Sequence, residues 1–197
     1  MSKTRLEAFS DGMFAIILTI LVLELHVPEL ENNSFEAFRA GMIEIAPKFF
    51  AFLFSFFIIT IFWVNHHAII HHVQKVDTKL LWLNTGFLLF TCLFPFITAS
   101  VGDYIMNPFI VALYPINMGI SAFMANWLWK YAFVDTDLAP NELTAEEKRQ
   151  KVMRDRIAVS INFITAALAF VWVPITLAVM VIMPFAFVVP EFLTKKK

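Results

Sequence analysis

The chain has very little cysteine and little charge. Its 197 residues include one cysteine, Cys92, so neither an intrachain disulfide nor a cysteine metal site can form. Cys92 lies in an apolar run, where we expect it to act as a small buried hydrophobic residue. Charged residues make up 16% of the chain and the net charge is −1. This composition provides no basic surface for DNA or RNA, so we expect no nucleic-acid partner.

Sequence motifs of enzymes are also missing. No Ser–His–Asp or Cys–His arrangement, phosphate-binding glycine loop or nucleotide fingerprint occurs. The histidine cluster His66-His67-x-x-x-His71-His72 offers a rival interpretation, because His67 and His71 are one helical turn apart and could share a metal ion. No carboxylate lies within the cluster, and membrane di-iron enzymes need more histidines in several separate motifs. We therefore expect no enzyme activity, no cofactor and no metal site.

Long apolar stretches are what the chain does have. Hydrophobic residues make up 59% of it, and about twenty consecutive apolar residues cross a bilayer as a helix. The pattern predicts an all-α membrane protein with a single domain, 1–197, and six spans at roughly 7–26, 48–66, 80–101, 109–130, 157–173 and 175–193. The last two are separated at Trp172-Val173-Pro174, because proline ends a helix. The alternative is five spans with a kinked last helix.

The distribution of Lys and Arg predicts the orientation. If both termini and the 66–80 and 130–157 loops share one side, that side holds all of the fifteen Lys and Arg residues except Arg39 and Lys48. Cytoplasmic loops are enriched in Lys and Arg. We therefore expect both termini in the cytoplasm and an even number of spans, since five spans would place Lys195, Lys196 and Lys197 outside.

Two segments between the spans carry helix signals. Apolar residues recur at helical spacing after the first span, at Phe35, Phe38, Met42 and Ile45. They predict a short helix, either amphipathic on the outer surface or packed on the bundle. Later, Pro140 and Asn141 are followed by Thr144 and Glu147, a helix-start pattern. The fifth helix is therefore expected to begin in the cytoplasm and to continue into the membrane.

The first span has two different faces. Thr4 and Glu7 form a capping-box pattern that starts the helix at about residue 4. At about 100° per residue, an apolar stripe flanked by Gly12 and Thr19 follows one face, and it consists of Phe9, Ile16, Ile20, Leu23 and Val27. Ser10 and Asp11 point away from it. Asp11 also interrupts the apolar run, so we treat this segment as a retained helix and not as a signal peptide.

Asp11 needs a partner, because a charge inside a span costs several kcal/mol unless it is paired. Arg5 lies six residues away, which is a poor spacing for a pair within one helix. The second span ends at the same depth with donors and acceptors. We predict a network that joins Arg5, Ser10 and Asp11 to Trp63, Asn65, His66 or His67. The alternative is a polar contact that only locks helices together.

Two motifs carry a resemblance to a known family. They are Arg5-x-x-x-Phe9-Ser10-Asp11 at the start of the first span and Phe62-Trp63-x-Asn65-His66-His67 at the end of the second. Together with six spans, they closely resemble the endosomal and lysosomal potassium channels, in particular the single-repeat prokaryotic members. The resemblance implies a homotetramer in a bacterial or archaeal cell membrane, with a pore lined by the first helix of each subunit. The family's apolar constriction falls on Ile16, Ile20 and Leu23, with Thr19 as a nearby hydroxyl.

The implied activity is passive flow of monovalent cations, mainly potassium, through a hydrophobic neck that gates by wetting and dewetting. The polar network would hold the pore helices in register. Glu24 would either concentrate cations as a ring of four at the pore mouth or form a surface salt bridge. An ion- or proton-coupled transporter is the alternative, and a non-conducting scaffold protein is a third class. Transporters usually carry ionisable groups near the bilayer midplane. Asp11 and Glu24 lie toward the ends of the span, which favours a channel.

Overall fold

The computed structural model describes residues 2–139 and 143–194, with side chains described as far as Pro184. These residues form helices and connecting segments, without a strand. The elements are α1 (Lys3–Leu23), α2 (Phe35–His72), α3 (Thr78–Cys92), α4 (Phe94–Asp103), α5 (Pro108–Lys130), a π-helical turn (Tyr131–Asp135), α6 (Ala145–Leu168) and α7 (Val173–Thr194).

Four segments of the described chain are long and apolar enough to cross a membrane. They are α1, α2, the α3–α4 pair and the segment formed by α5 with its π-helical turn. Part of α7, Val173–Pro184, is a shorter apolar helix. The protein is therefore an all-helical, multi-pass membrane protein. We call the end of the bundle at which α1 begins the lower end, and the opposite end the upper end.

The start of α1 differs from the prediction. Ser2 is the residue that caps the helix, since its Oγ accepts a hydrogen bond from the Arg5 backbone N–H at 3.4 Å. The predicted capping box of Thr4 with Glu7 is wrong, because a serine two residues earlier already caps the helix. Glu7 instead pairs with Lys3 one turn before it, at 3.7 Å.

The second helix is much longer than its predicted span. Phe35–His72 is one continuous helix of 38 residues that contains Pro47. The predicted separate helix around Phe35 to Ile45 is wrong, since these residues form the first turns of α2. The preceding connection folds back on them at Gly41, where Pro28 Cγ lies 2.8 Å from the place that a Cβ would occupy. Only glycine allows this approach without a shift.

The third predicted span is divided in two. α3 ends at Cys92 and α4 begins at Phe94, with Pro95 in its first turn. A proline there is tolerated because its missing N–H would lack a helical partner in any case. Cys92 is a free, half-buried thiol at this break, so its expected full burial is not observed.

The helix-start pattern before α6 is confirmed. The Thr144 N–H donates to Glu147 Oε2 at 2.7 Å, and the Glu147 N–H donates to Thr144 Oγ1 at 3.3 Å, which completes a capping box. α6 then continues without a break to Leu168. α7 begins anew at Val173, so the predicted break before Pro174 is confirmed as well. Pro140, Asn141 and the Lys195–Lys197 group lie outside the described residues.

The interior contains two apolar clusters, one toward each end. α1 packs against α2, α3 and α4. Its buried side chains Phe14, Ile17 and Leu21 join the cluster that extends toward the upper end, which also contains Phe62 and Phe87. Leu6 joins the cluster at the lower end, which includes Ile70, Leu80, Leu128 and Trp129. These contacts fix which face of α1 is buried.

Candidate functional site

One face of α1 is buried and the other is open. Leu6, Ser10, Phe14, Ile17 and Leu21 are buried. The predicted apolar stripe lies on the opposite face, with exposed fractions of 52% for Phe9, 56% for Ile16, 40% for Ile20 and 69% for Leu23. Val27, beyond the helix end, is also exposed. In a single chain, these stripe residues are exposed and no other helix of the described chain packs over them.

Small and polar residues flank the stripe. Apart from its chain neighbours and the backbone of its own helix, no atom lies within 4 Å of the place that a Cβ of Gly12 would occupy, so the surface there is open. The Thr19 hydroxyl donates to the Ile16 carbonyl oxygen at 2.9 Å, which satisfies its donor within the helix. The Ile16 carbonyl oxygen also accepts the helical N–H of Ile20, so the acceptor that stays available to a group outside the helix is the Thr19 hydroxyl oxygen.

Asp11 is held by a tryptophan. Trp63, near the end of α2, donates its indole N–H to Asp11 Oδ1 at 2.9 Å. Asp11 is half-buried, on the side of α1 that faces α2. This contact spans 52 residues of sequence and joins the two motifs of the sequence analysis. The side chain of Asp11 thus has a hydrogen-bond donor within the apolar span.

Ser10 and His66 are joined through a third residue, Asn84 of α3. The Asn84 side-chain N–H donates to Ser10 Oγ at 3.1 Å, and Asn84 Oδ1 lies 2.6 Å from His66 Nε2, which donates to it. All three side chains are buried. We call Ser10, Asn84 and His66 the α1 network. It connects α1, α2 and α3 at one level.

Aromatic rings enclose the histidine of the α1 network. The His66 ring stacks on Phe87 with centroids 5.4 Å apart and an angle of 7° between the planes. Phe14 lies on another side, 5.7 Å away. His66 Nδ1 has no hydrogen-bond partner among the described residues. The imidazole is therefore fixed by stacking as well as by its bond to Asn84.

Sequence reasoning missed Asn84, although a signal was present. An amide side chain within an apolar span costs free energy unless it is hydrogen-bonded. Asn84 meets that description in the third predicted span. Its position predicts a polar partner, but the two partners, Ser10 and His66, lie 74 and 18 residues away in sequence.

Three predicted members of the network are not brought into it in a single chain. Arg5 and Asn65 are exposed, and neither side chain forms a hydrogen bond or ion pair among the residues that the structure describes. Arg5 is one turn before Phe9 and so shares the open face of α1. His67 is exposed too, and its ring stacks near Trp63 and His71, with centroids 6.1 Å away in each case.

A second polar cluster lies toward the upper end. The Thr98 hydroxyl is 2.7 Å from Ser55 Oγ, which is in turn 2.9 Å from the Tyr114 hydroxyl. All three residues are buried. We call Ser55, Thr98 and Tyr114 the hydroxyl network. It connects α2, α4 and α5 without a hydrogen bond to α1. It was not predicted from the sequence.

Charges surround the upper end of α1. Lys48 and Asp103 form an ion pair at 2.6 Å that joins α2 to α4. Glu24, half-buried, lines a neighbouring groove of about 500 Å³ between α1 and the α3–α4 pair, together with Ile16, Ile20 and Asp103. Glu24 has no ion-pair partner within 4 Å among the described side chains. It therefore leaves a carboxylate beside the end of the apolar stripe.

The histidine cluster does not assemble a metal site in the described part of the chain. No group of three or more His, Cys, Asp or Glu side chains able to hold a metal ion occurs there. His67 and His71 stack on each other, whereas His72 Nδ1 lies 2.8 Å from the Ala68 carbonyl oxygen.

The geometry thus defines a class: a multi-pass helical membrane protein whose first helix has a buried polar anchor and an open apolar face. Comparison with known proteins narrows the class. The model of the family described as endosomal/lysosomal potassium channel TMEM175 matches residues 5–95. A potassium channel of Chamaesiphon minutus is 32% identical over 178 residues, which cover 89% of this chain and 88% of that protein. The chain belongs to the TMEM175 potassium-channel family.

Other relatives are channels as well. A potassium channel of Chryseobacterium sp. is 44% identical over 124 residues, 62% of this chain and 60% of that protein. The human protein described as endosomal/lysosomal proton channel TMEM175 is 35% identical over 97 residues, which cover 46% of this chain and 19% of that protein. The match to the human protein therefore spans about a fifth of its length. The relatives are channels, and the protein is not an enzyme.

Solved structures agree with this fold. The crystal structure of a lysosomal potassium-selective channel TMEM175 homolog from Chamaesiphon minutus superposes with a TM-score of 0.82 at 29% identity, and the match covers 95% of this chain and 97% of that one. A variant of the potassium channel MtTMEM175, bound to a nanobody fusion, gives a TM-score of 0.59 at 18% identity over 98% of this chain and 94% of that one. The second match shows the fold alone.

Proposed function

We propose that the protein conducts potassium and other monovalent cations passively, through a pore formed by α1 of four identical subunits. One observation carries this proposal. The apolar stripe of α1 is open in the single chain, while the opposite face is anchored by hydrogen bonds and core packing. Because only one face of α1 packs on its own subunit, the exposed face can be directed toward an axis that four subunits share.

In this arrangement, each residue of the stripe occurs four times around the pore. Ile16, Ile20 and Leu23 form successive apolar rings, and such constrictions gate by wetting and dewetting. Thr19 adds a ring of hydroxyl oxygens between the two isoleucine rings. Glu24 adds four carboxylates at the upper mouth, where they raise the local concentration of cations. We propose no cofactor apart from the permeant ion.

The membrane orientation follows from the charges. We propose six spans in a single domain, with α6 and α7 as the fifth and sixth, and the lower end in the cytoplasm. The Lys and Arg residues of the α2–α3 loop and of the start of α6 then lie on the cytoplasmic side. On the opposite side, Arg39 and Lys48 are the basic residues.

The bonds to Asp11 and Ser10 supply a support for the pore helix. Trp63 and the α1 network connect α1 to α2 and α3. Any motion of α1 that widens the neck must carry these helices with it or break the bonds. We propose that Arg5, Phe9, Asn65 and His67, which are open in one chain, complete this support through contacts between subunits.

An ion- or proton-coupled transporter is the alternative function. Coupling usually requires an ionisable group near the middle of the membrane. Between Asp11 and Glu24, α1 has none. The animal relatives are described as proton channels, so proton flux belongs among the measurements made on this protein.

Potassium flux into proteoliposomes tests the proposal. The samples are the wild type, Ile16→Asn and the matched control Ile182→Asn, which changes an exposed isoleucine (66%) on α7. We expect flux in the wild type, an altered rate or selectivity in Ile16→Asn because a polar ring eases wetting, and no change in the control.

Valinomycin verifies that the vesicles are tight, and native mass measurement counts the subunits. An absence of potassium flux from correctly folded tetramers would contradict the channel proposal and favour a transporter or scaffold. An equal change in potassium flux in both asparagine variants would show that α1 does not line the conduction path.

A further inference from the structure

An exposed face of α6 combines two arginines with an apolar row. Going along the helix, the face consists of Arg149, Met153, Arg156, Ile157, Ser160 and Ile164, all exposed. We call it the α6 outer face. It lies about 120–180° around the helix from Asn162 and Lys151. Those two residues meet α5, at Gly119 and over the Trp129 ring.

The two arginines are left without a carboxylate partner. Glu146 accepts a hydrogen bond from Gln150, Glu147 caps the helix through Thr144, and Asp155 pairs with Lys151 at 3.0 Å and with Arg154 at 3.9 Å. Every carboxylate in the described first half of α6 is thus engaged. Neither the Arg149 nor the Arg156 side chain forms a hydrogen bond or ion pair with the described residues.

The arginines stand where the chain passes from water to hydrocarbon. No charged residue occurs between Arg156 and Glu191. Arg149 and Arg156 are two turns apart, about 10 Å along the axis, and both lie on the polar side of this boundary. Met153 lies between them, and Ile157 and Ile164 continue the same face into the apolar half.

We propose that the α6 outer face binds the phosphate of an anionic phospholipid. Guanidinium groups match phosphate oxygens in a bidentate geometry, and basic residues next to a spanning helix attract anionic headgroups. The apolar row below the arginines accommodates an acyl chain, so the face fits a lipid better than free phosphate. This inference rests on membrane insertion of α6 and not on ion conduction, so a failed flux experiment leaves it untouched.

Lipid titration of the detergent-purified protein, followed by native mass measurement, tests the site. The probes are dioleoyl phosphatidylglycerol, dioleoyl phosphatidylcholine and inorganic phosphate. The variants are Arg149→Gln with Arg156→Gln, the same pair changed to Lys, and the control Lys75→Gln with Lys148→Gln. The control removes equal charge from the same end of the bundle but leaves the α6 outer face intact.

We expect the wild type to retain phosphatidylglycerol over phosphatidylcholine and phosphate. The Gln pair should weaken that binding roughly thirtyfold, since each basic residue near an anionic surface contributes about fivefold. The Lys pair should lose less, and the control should bind as the wild type does. Thermal unfolding verifies that each variant is folded.

Two results would overturn the inference. Equal losses in the Gln pair and in the control would show a diffuse electrostatic attraction without a site. Equal retention of both lipids by the wild type, or equally strong binding of inorganic phosphate, would show that no anionic lipid is selected.

Discussion

Two buried polar clusters occupy opposite halves of the bundle, and they differ in the helices that they connect. The α1 network joins α1 to α2 and α3 toward the lower end. The hydroxyl network joins α2, α4 and α5 toward the upper end, without α1. Both reduce the cost of polar groups in an apolar interior. Only the first is positioned to transmit a change to the proposed pore helix.

The two networks are expected to differ more in their effect on conduction than in their effect on stability. Loss of a hydrogen bond in either network leaves a buried donor or acceptor unpaired, which costs about 1–3 kcal/mol. Double-mutant cycles in a membrane protein give smaller values for the bond itself, about 0.6 kcal/mol on average. The energetic effects should therefore be similar at the two ends, whereas the effects on ion flux should differ.

The largest effect is expected for Asn84→Leu. This change removes both bonds of the amide and leaves Ser10 and His66 unpaired, so we expect a destabilisation of about 2–4 kcal/mol together with altered flux. Thermal unfolding in detergent and flux in proteoliposomes measure the two effects. Thr85→Leu is the matched control, because Thr85 is adjacent and exposed, and its hydroxyl bonds only to the Leu81 carbonyl within the helix. Equal destabilisation by both changes would show that the hydrogen bonds of the α1 network contribute no more to stability than the exposed Thr85 hydroxyl does.

Ser10→Ala and Ser55→Ala form a matched pair across the two networks. Both serines are fully buried and bond to side chains of other helices. Ser10→Ala should cost about 1 kcal/mol. Ser55→Ala should cost about 2 kcal/mol, because Ser55 bonds to both Thr98 and Tyr114. Flux should change in Ser10→Ala, since α1 loses its bond to Asn84, and should stay the same in Ser55→Ala. Equal flux in the two variants would break the functional distinction between the networks.

Trp63→Phe should have a smaller effect on stability. It removes the indole N–H that bonds Asp11 but retains an aromatic ring at a site that is partly exposed. We expect a loss of about 0.5–1.5 kcal/mol, the range for a single hydrogen bond, and a measurable change in flux. The control is Trp82→Phe, an exposed tryptophan of α3 outside both networks. Unchanged flux in Trp63→Phe would show that the hydrogen bond between Trp63 and Asp11 has no role in gating.

Asp77→Asn should have the smallest effect, and a pH-dependent one. Asp77 caps α3 outside both networks, bonding to the Leu80 N–H and to the Tyr131 hydroxyl. Burial opposes ionisation, but the hydrogen bonds from Tyr131, Leu80 and Lys79 outweigh it, so the pKa of this carboxyl lies below its usual 3.8. The folded state then binds fewer protons than the unfolded state near that pH.

The sign of the effect follows by linkage. The stabilisation by Asp77 is present above the ordinary pKa and is lost as the pH falls through the lowered one. At neutral pH, Asp77→Asn should cost under about 1 kcal/mol, because asparagine still caps the helix. Below pH 4, the variant should lose stability less steeply than the wild type does. Thermal unfolding across this pH range measures the slope, and identical slopes would contradict the lowered pKa.

The sequence was sufficient to locate helix ends that depend on neighbouring residues, but not the full length of α2. The capping box at Thr144 and the break before Pro174 depend on residues a few positions apart, and both are present as predicted. The predicted span 48–66 is too short, because the helix expected to be separate around Phe35 to Ile45 continues through Pro47 into it. The connection before α2 packs on this first part of the helix, where Pro28 lies against Gly41.

The candidate site was predictable in part. The stripe of α1 follows from helical periodicity, and the structure leaves it exposed as one face. The pairing of Asp11 with Trp63 could be predicted, because the first two spans are antiparallel and place the two residues at the same depth in the membrane. The partners of Asn84 could not be predicted, since nothing in the neighbouring sequence indicates which helices a buried amide will contact.

The sequence alone determined the membrane class, the helical periodicity and the motifs that assign the chain to its family, because composition and spacing are local properties. The tertiary structure decided which face of α1 is buried, that Asn84 connects Ser10 to His66, and that Arg5 remains on the open face. It also decided that Ser55, Thr98 and Tyr114 meet. These contacts join residues 18 to 74 positions apart. Their formation depends on how whole helices pack, which no short stretch of sequence specifies.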